Sequence, residues 1–251
     1  MFKRREFIFT YAKTEVLRQN LDSFFGQIWL LLNPLALSGV YFLLLFIINN
    51  SLTKNTYLHL IANLLVFYFI SNCLTEGVKS VTNSSNLLLN SKFPRIVLPI
   101  CGVLIAFYKF LPTLLIIALV KFAVGSAFSM NTLLVLPLLL IFIVLGLAFS
   151  ICVSLLNVYF RDMQNILPFA IRTGLYLSPI LYEATTLSER VVLLKYINPL
   201  FPLLNSWSRV ITHNQAPLLS DIIVALLWSL GLLIIGSLSF ISREDEFVVR
   251  I

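Results

Sequence analysis

From Thr132 to Asn157 the chain reads TLLVLPLLLIFIVLGLAFSICVSLLN, a run of 26 residues without one charged side chain. At about 1.5 Å per helical residue, such a run crosses the roughly 30 Å of hydrocarbon in a bilayer. Nothing in a soluble domain of this size requires it. Comparable runs lie at 30–49, 57–76, 99–121, 164–182 and 218–241, the one at 164–182 being short. Composition agrees: hydrophobic residues make up 59% of the 251 positions and charged residues 12%, whereas soluble domains carry roughly 25% charge. Mean hydropathy is +0.94. The sequence therefore predicts an all-α polytopic membrane protein, a single transmembrane domain over 1–251 with six transmembrane helices, and it excludes a soluble enzyme.

Charge orients the spans. With the N-terminus inside, the inner segments hold eleven basic residues, among them Lys3, Arg4, Arg5, Lys79, Lys92, Arg95 and Arg161. The outer segments hold five: Lys54, Lys121, Arg190, Lys195 and Arg209. Positive charge favours the cytoplasmic side, so both termini are expected there. Acidic residues precede the first apolar run and no small-residue cleavage site follows it, so a retained N-terminus is expected. The net charge of +7 gathers into no soluble patch, and nucleic acid is not an expected partner. Cys73, Cys101 and Cys152 all fall within apolar runs and read as small lipid-phase side chains. His59 and His213 are too far apart in sequence to suggest a metal site, and no paired carboxylate or Ser-His-Asp set is arranged for chemistry.

Three further segments stand apart. In residues 1–29, Phe7, Tyr11, Leu17, Leu21, Phe24 and Ile28 recur at helical spacing between charges, the pattern of a helix lying in the membrane interface. Glu76-Gly77-Val78-Lys79 opens a polar stretch that continues through Asn83 to Phe93-Pro94-Arg95. It predicts a cytoplasmic loop over 77–96, stopped by its proline. The segment 183–217 is broken by proline, and its apolar pieces Val191–Leu194 and Pro199–Leu204 predict short helices dipping into the outer face. Between spans four and five, Asn157 and the adjacent pair Arg161-Asp162 sit at a tight turn. A positive-inside anchor accounts for Arg161 and leaves Asp162 to a contact with another protein.

Two cations lie within spans. Lys109 and Arg172 sit about 15 and 12 Å from the cytoplasmic ends of spans three and five at 1.5 Å per residue. An intramembrane cation faces protein, water or an opposite charge. Either they snorkel back to the headgroups or they meet an anionic substrate. Aromatic residues reach 13%. Their faces stack on sugar rings, and tyrosine hydroxyls bond sugar hydroxyls. Tyr41, Phe42, Phe46, Phe169, Tyr176 and Tyr182 on spans one and five are candidates to line a path, though aromatics also suit lipid and its interfaces.

The order Ser23-x-x-Gly26-x-x-Trp29-x-x-x-x-Pro34, Lys92-Phe93-Pro94-Arg95 with Leu98-Pro99, Asn157-x-x-x-Arg161-Asp162, Ser178-Pro179 and Asn198-Pro199 resembles the permease subunit of ABC exporters for polysaccharides. That family includes the O-antigen, capsule and wall-teichoic-acid exporters. Gln19 and Asn20 stand where its members often carry Arg-Tyr. The resemblance implies an inner-membrane permease working as a homodimer with two ATP-binding cassette subunits. Its cargo would be a polysaccharide on a polyprenyl pyrophosphate. Glu76, Gly77, Lys79, Asn83, Phe93, Pro94 and Arg95 would form the coupling segment, Asn157, Arg161 and Asp162 a second ATPase contact, and 183–217 an outer gate. None of the nine glycines is followed by lysine, so the chain lacks the phosphate-binding G-x-x-x-x-G-K-[ST] loop. ATP and Mg then belong to the partner subunit, and no cofactor is expected in this chain. An exporter of the same build for a drug, lipid or small glycolipid is an alternative. So is a membrane transporter or glycan-processing enzyme without an ATPase partner, although no internal symmetry of the kind secondary carriers show is visible.

Overall fold

A computed structural model describes residues 10, 12–18, 28–49, 53–84, 94–184 and 193–247. The described residues form helices and turns without a strand. After a short helical stretch at 12–18, eight α-helices follow among the described residues: α1 Trp29–Asn49, α2 Lys54–Ser80, α3 Val97–Val124, α4 Val135–Tyr159, α5 Met163–Leu177, α6 Leu193–Ile197, α7 Phe201–Ile211 and α8 Leu219–Arg243. With Lys54 of α2 taken as the top and Ser80 as the bottom, α1, α3 and α5 start near the bottom half and α2, α4 and α8 at the top.

Every apolar run read from the sequence is helical over most of its length. Four helices are long and apolar enough to cross a membrane: α2, α3, α4 with its leading turn Met130–Leu134, and α8. The apolar part of α1 is shorter, covering Leu32–Ile47. Helix α5 has 15 residues, about 22 Å, and it stops before the expected end at 182. Ser178 explains the stop. It precedes Pro179 and lies in the extended region, φ −102° and ψ 152°, because the proline ring clashes with a helical residue before it.

The least apolar of the four long helices is the most deeply buried. On α2 every residue from Leu58 to Phe67 is buried, and α1, α3, α4, α5 and α7 all pack around it. A membrane helix enclosed by protein needs less hydrophobicity than one facing lipid, and its polar side chains find protein partners. Thr53 caps its start, accepting from the Thr56 backbone N–H at 3.2 Å. Helix α3 ends at Gly125, whose left-handed φ of 79° suits a residue without Cβ. The Ser126 N–H then bonds back to the Lys121 carbonyl at 3.2 Å.

Helices α2 and α4 cross through small residues. A Cβ on Gly77 would lie 2.5 Å from Ser150 Oγ and 2.7 Å from its Cα, and one on Gly146 would lie 2.8 Å from Cys73 Sγ. Below, Ser80 Oγ meets Ser154 Oγ at 3.0 Å, and Asn157 Nδ2 donates to the Val78 carbonyl at 2.7 Å. Spacing of about four residues on both helices makes this a ridge-into-groove seam of the small-xxx-small kind.

The segment expected to dip into one face of the bilayer forms α6 and α7 in its described residues. Helix α7 packs on α2, α4 and α8. Its Trp207 is fully buried, donating to the Ala62 carbonyl at 3.1 Å and meeting the Phe142 ring edge-on at 5.7 Å. It runs past Leu204 to Ile211 because Trp207, Val210 and Ile211 continue its buried face.

Candidate functional site

Three stripes of matching period face one another below the top of the bundle. Helix α2 contributes Tyr68, Ser71, Thr75 and Lys79, α5 contributes Gln164, Pro168, Arg172 and Tyr176, and α1 contributes Leu37 and Tyr41. Steps of three and four residues place each set on one helical face. Between them lies a cleft of about 630 Å³. Tyr41 and Tyr176 lie close together, and Arg172 lies near enough to act on Tyr41 electrostatically. Leu167 and Leu175 are buried on the inner side of α5 and line the cleft as well. The wall carries hydroxyls, aromatic faces and two cations, Lys79 and Arg172, set among the aliphatic Leu37, Val78, Leu167, Ile171 and Leu175.

Of the eight path residues expected from the sequence, Tyr41, Arg172 and Tyr176 line this cleft. Phe42 packs edge-on against Tyr57 at 4.9 Å. Phe46 and Phe169 are 52% and 73% exposed on the outside of the bundle. The Tyr182 hydroxyl donates to the Leu177 carbonyl at 3.2 Å, and its own carbonyl accepts from His59. Lys109 lies on the other side of α1. Its ammonium neither snorkels nor faces the cleft: it pairs with Glu76 at 2.6 Å, and both side chains are largely buried. Tyr68, Ser71, Thr75 and Gln164 were missed by the sequence reading, although the i, i+3, i+7 spacing of the first three was there to be read.

The coupling candidates divide into two sets. Glu76, Gly77 and Lys79 belong to the last turn and a half of α2, which runs on to Ser80 before the turn Thr82–Ser84. Gly77 and Asn157 are buried in the α2–α4 seam. Lys79, Asn83, Arg161 and Asp162 are exposed at the bottom, and Pro94 and Arg95 are half-buried where α3 begins. Phe93 lies outside the described residues, as do most of the expected interfacial helix 1–29 and the middle of the loop 77–96. Within 1–29, residues 12–18 are helical, and Glu15 shares a small cavity with Glu76 and Lys79.

At the top, polar side chains tie the segment after α5 to the bundle. His59 Nε2 donates to the Tyr182 carbonyl at 3.2 Å, so its Nδ1 accepts from the Ser208 hydroxyl at 2.6 Å. Asn63 donates to the Pro179 carbonyl at 3.1 Å, and Asn198 to Ser178 Oγ at 3.0 Å. Asp221, fully buried, pairs with Lys195 of α6 and accepts from Asn205 of α7 at 2.7 Å. Lys121 is buried too, donating to the Ile211 carbonyl at 2.8 Å and to Asn214 Oδ1 at 2.6 Å.

Comparison with known proteins fits a transporter. Residues 6–211 match the ABC-2 type transporter family. The O-antigen export system permease protein RfbA of Myxococcus xanthus is 25% identical to this chain over 259 residues, covering all of it and 97% of the relative. A Klebsiella pneumoniae protein of the same name is 26% identical over 194 residues, covering 77% of this chain and 75% of the relative. With the family match spanning most of its length, this multi-pass membrane chain belongs to the ABC-2 type transporter family.

Proposed function

We propose that the chain is the membrane half of an ATP-driven exporter that moves a polyprenyl-pyrophosphate-linked polysaccharide of O-antigen, capsule or teichoic-acid type across the cytoplasmic membrane. It works as a homodimer with two separate ATP-binding subunits, which hold the ATP and Mg. In this reading α1 and α5 complete six spans, both termini face the cytoplasm, and the segment 183–217 gates the outer side. The observation that carries the proposal is the cleft between α1, α2 and α5. A glycan offers apolar ring faces and many hydroxyls. Tyrosines with Ser71, Thr75 and Gln164 meet both without a deep pocket that would hold one sugar fast. Arg172 supplies a charge for the pyrophosphate, and a hydrogen bond to a charged group contributes about 1.5–3 kcal/mol.

The outer flanks of α1 and α5 support the dimer. Val40, Leu43 and Ile47 on α1 and Ile166 and Phe169 on α5 are exposed apolar residues flanking the cleft, and a second copy placed there encloses the conduit. The ATPase docks on the bottom surface around Lys79, Asn83, Arg95, Arg161 and Asp162, and the α2–α4 seam carries its movement upward. The test is transport in proteoliposomes holding this permease, its ATPase and a labelled lipid-linked glycan. ATP-dependent movement is expected, and Arg172→Gln lowers it by about tenfold, the equivalent of one lost charged hydrogen bond. Undiminished flux in Arg172→Gln, or no flux of any lipid-linked glycan by the intact complex, refutes the proposal.

A further inference from the structure

Lys79, the next-to-last residue of α2, stands on the border between two spaces. On one side it lines the lower end of the cleft, below Thr75 and with Gln164 of α5. On the other it lines a smaller cavity of about 70 Å³ with Glu76, Asn83 and Glu15. Helical geometry explains the double address. Ser71, Thr75 and Lys79 follow one another at steps of four, and each such step turns the side chain by about 40°. By Lys79 the cleft stripe of α2 has therefore rotated toward the face that carries Glu76 and Asn83. Glu76 is engaged by Lys109 at 2.6 Å, so Glu15 is the carboxylate of the small cavity outside that pair. It comes from the helical stretch 12–18 and is half-buried, whereas Lys79 is exposed. A lysine carries its compact charge on a flexible four-carbon stem, long enough to choose between neighbouring partners. The second cation of the cleft sits at another level. Arg172 follows Gln164 by eight positions on α5, which places it about 12 Å higher at 1.5 Å per residue.

We infer, resting on the exporter reading above, that Lys79 receives the pyrophosphate of the cargo at the mouth of the cleft, in competition with Glu15. Without cargo, the carboxylates of the small cavity draw the ammonium to their side. A pyrophosphate carries more negative charge than one carboxylate, so its arrival draws the ammonium back to the cleft. Arg172 takes up the charge at the next level, with the hydroxyls of Thr75 and Ser71 on the way. The N-terminal helical stretch thereby sets how readily the mouth accepts an anion, supplying a competing charge without touching the cargo. A lysine in the last turn of a helix also suits the negative end of the helix dipole. That role alone predicts no effect of Glu15.

Binding to the full-length permease in phosphatidylcholine nanodiscs, with no ATPase present, separates this role from ATPase docking. The probes are a polyprenyl pyrophosphate and the uncharged polyprenol. The wild type is expected to hold the pyrophosphate more tightly. Lys79→Gln weakens pyrophosphate binding about tenfold, the scale of one charged hydrogen bond, and leaves polyprenol binding unchanged. Glu15→Gln moves the other way and tightens it about threefold, the scale of a partly exposed ion pair. In the double variant that gain disappears, because Glu15 acts through the lysine. Unchanged pyrophosphate binding in Lys79→Gln overturns the inference. So does the absence of a gain in Glu15→Gln, or a gain that survives without the lysine. Each of these leaves the exporter reading in place. A wild type that binds the pyrophosphate no better than polyprenol overturns both.

Discussion

The α2–α4 seam and the α1 flank are built on opposite terms. In the seam, Gly77, Gly146, Ser150 and Ser154 bring two helices so close that no added methyl fits, and Asn157 closes its lower end. Along α1, cavities of about 630 and 430 Å³ lie on either side of one helix, and Val40, Leu43 and Ile47 face outward. The difference separates frame from wall. Close packing is hard to compress and transmits strain, whereas a helix bordered by open space has room to shift. A transporter needs both: a rigid part to carry force and a loose part to make way for cargo.

Substitutions can break this contrast from either side. The largest effect is expected at Gly77→Leu, where even the first carbon collides with the Ser150 backbone. Overpacking of this kind costs about 3 kcal/mol or more, and the purified protein should lose its monodisperse peak in size-exclusion chromatography. Next comes Asp221→Leu, which leaves Lys195 without its buried partner and removes the Asn205 acceptor. The loss is about 3 kcal/mol, seen as a lower thermal midpoint in detergent, and Lys195→Met in the same chain should recover part of it. Trp207→Phe removes the bond to the Ala62 carbonyl and should lower stability by about 1–2 kcal/mol through the lost hydrogen bond and ring volume. Tyr41→Phe, at the cleft, is expected to change stability by less than about 0.5 kcal/mol while slowing glycan movement severalfold. Phe169→Ala should be the mildest for folding, within about 0.5 kcal/mol. A cysteine there in place of Phe169 should cross-link two copies in membranes if the flank is the dimer face. If Tyr41→Phe destabilised the protein as much as Trp207→Phe, the division into frame and wall would fail.

Hydropathy located the long helices because it measures the difference between lipid and water, and the run 132–157 leaves no other solvent for that segment. It does not measure the difference between lipid and protein. Helix α2 therefore read as one span among six when it is the axis of the bundle. The polar residues Glu76 to Ser84 read as a loop for the same reason. Their partners, Lys109 for Glu76 and Ser154 for Ser80, lie 33 and 74 positions away, beyond any local pattern. The cleft was half legible. Tyr41, Arg172 and Tyr176 stood out as aromatic or charged residues in apolar runs, while Ser71 and Thr75 were hidden as ordinary helix-forming polar residues. Phe46 and Phe169 were chosen for ring chemistry alone, and the direction of a ring on a helix follows from packing that the sequence did not display.

Helix α2 also has a mechanical consequence. Its 27 residues run unbroken, about 40 Å at 1.5 Å per residue, with the seam glycine at its foot and the Thr53 cap at its head. Tyr68, Ser71, Thr75 and Lys79, the central wall of the cleft, are mounted on that same stiff rod. A nudge at the foot cannot be absorbed by a hinge along the way, so it arrives at those four side chains together, as the stroke of a piston rod reaches its piston.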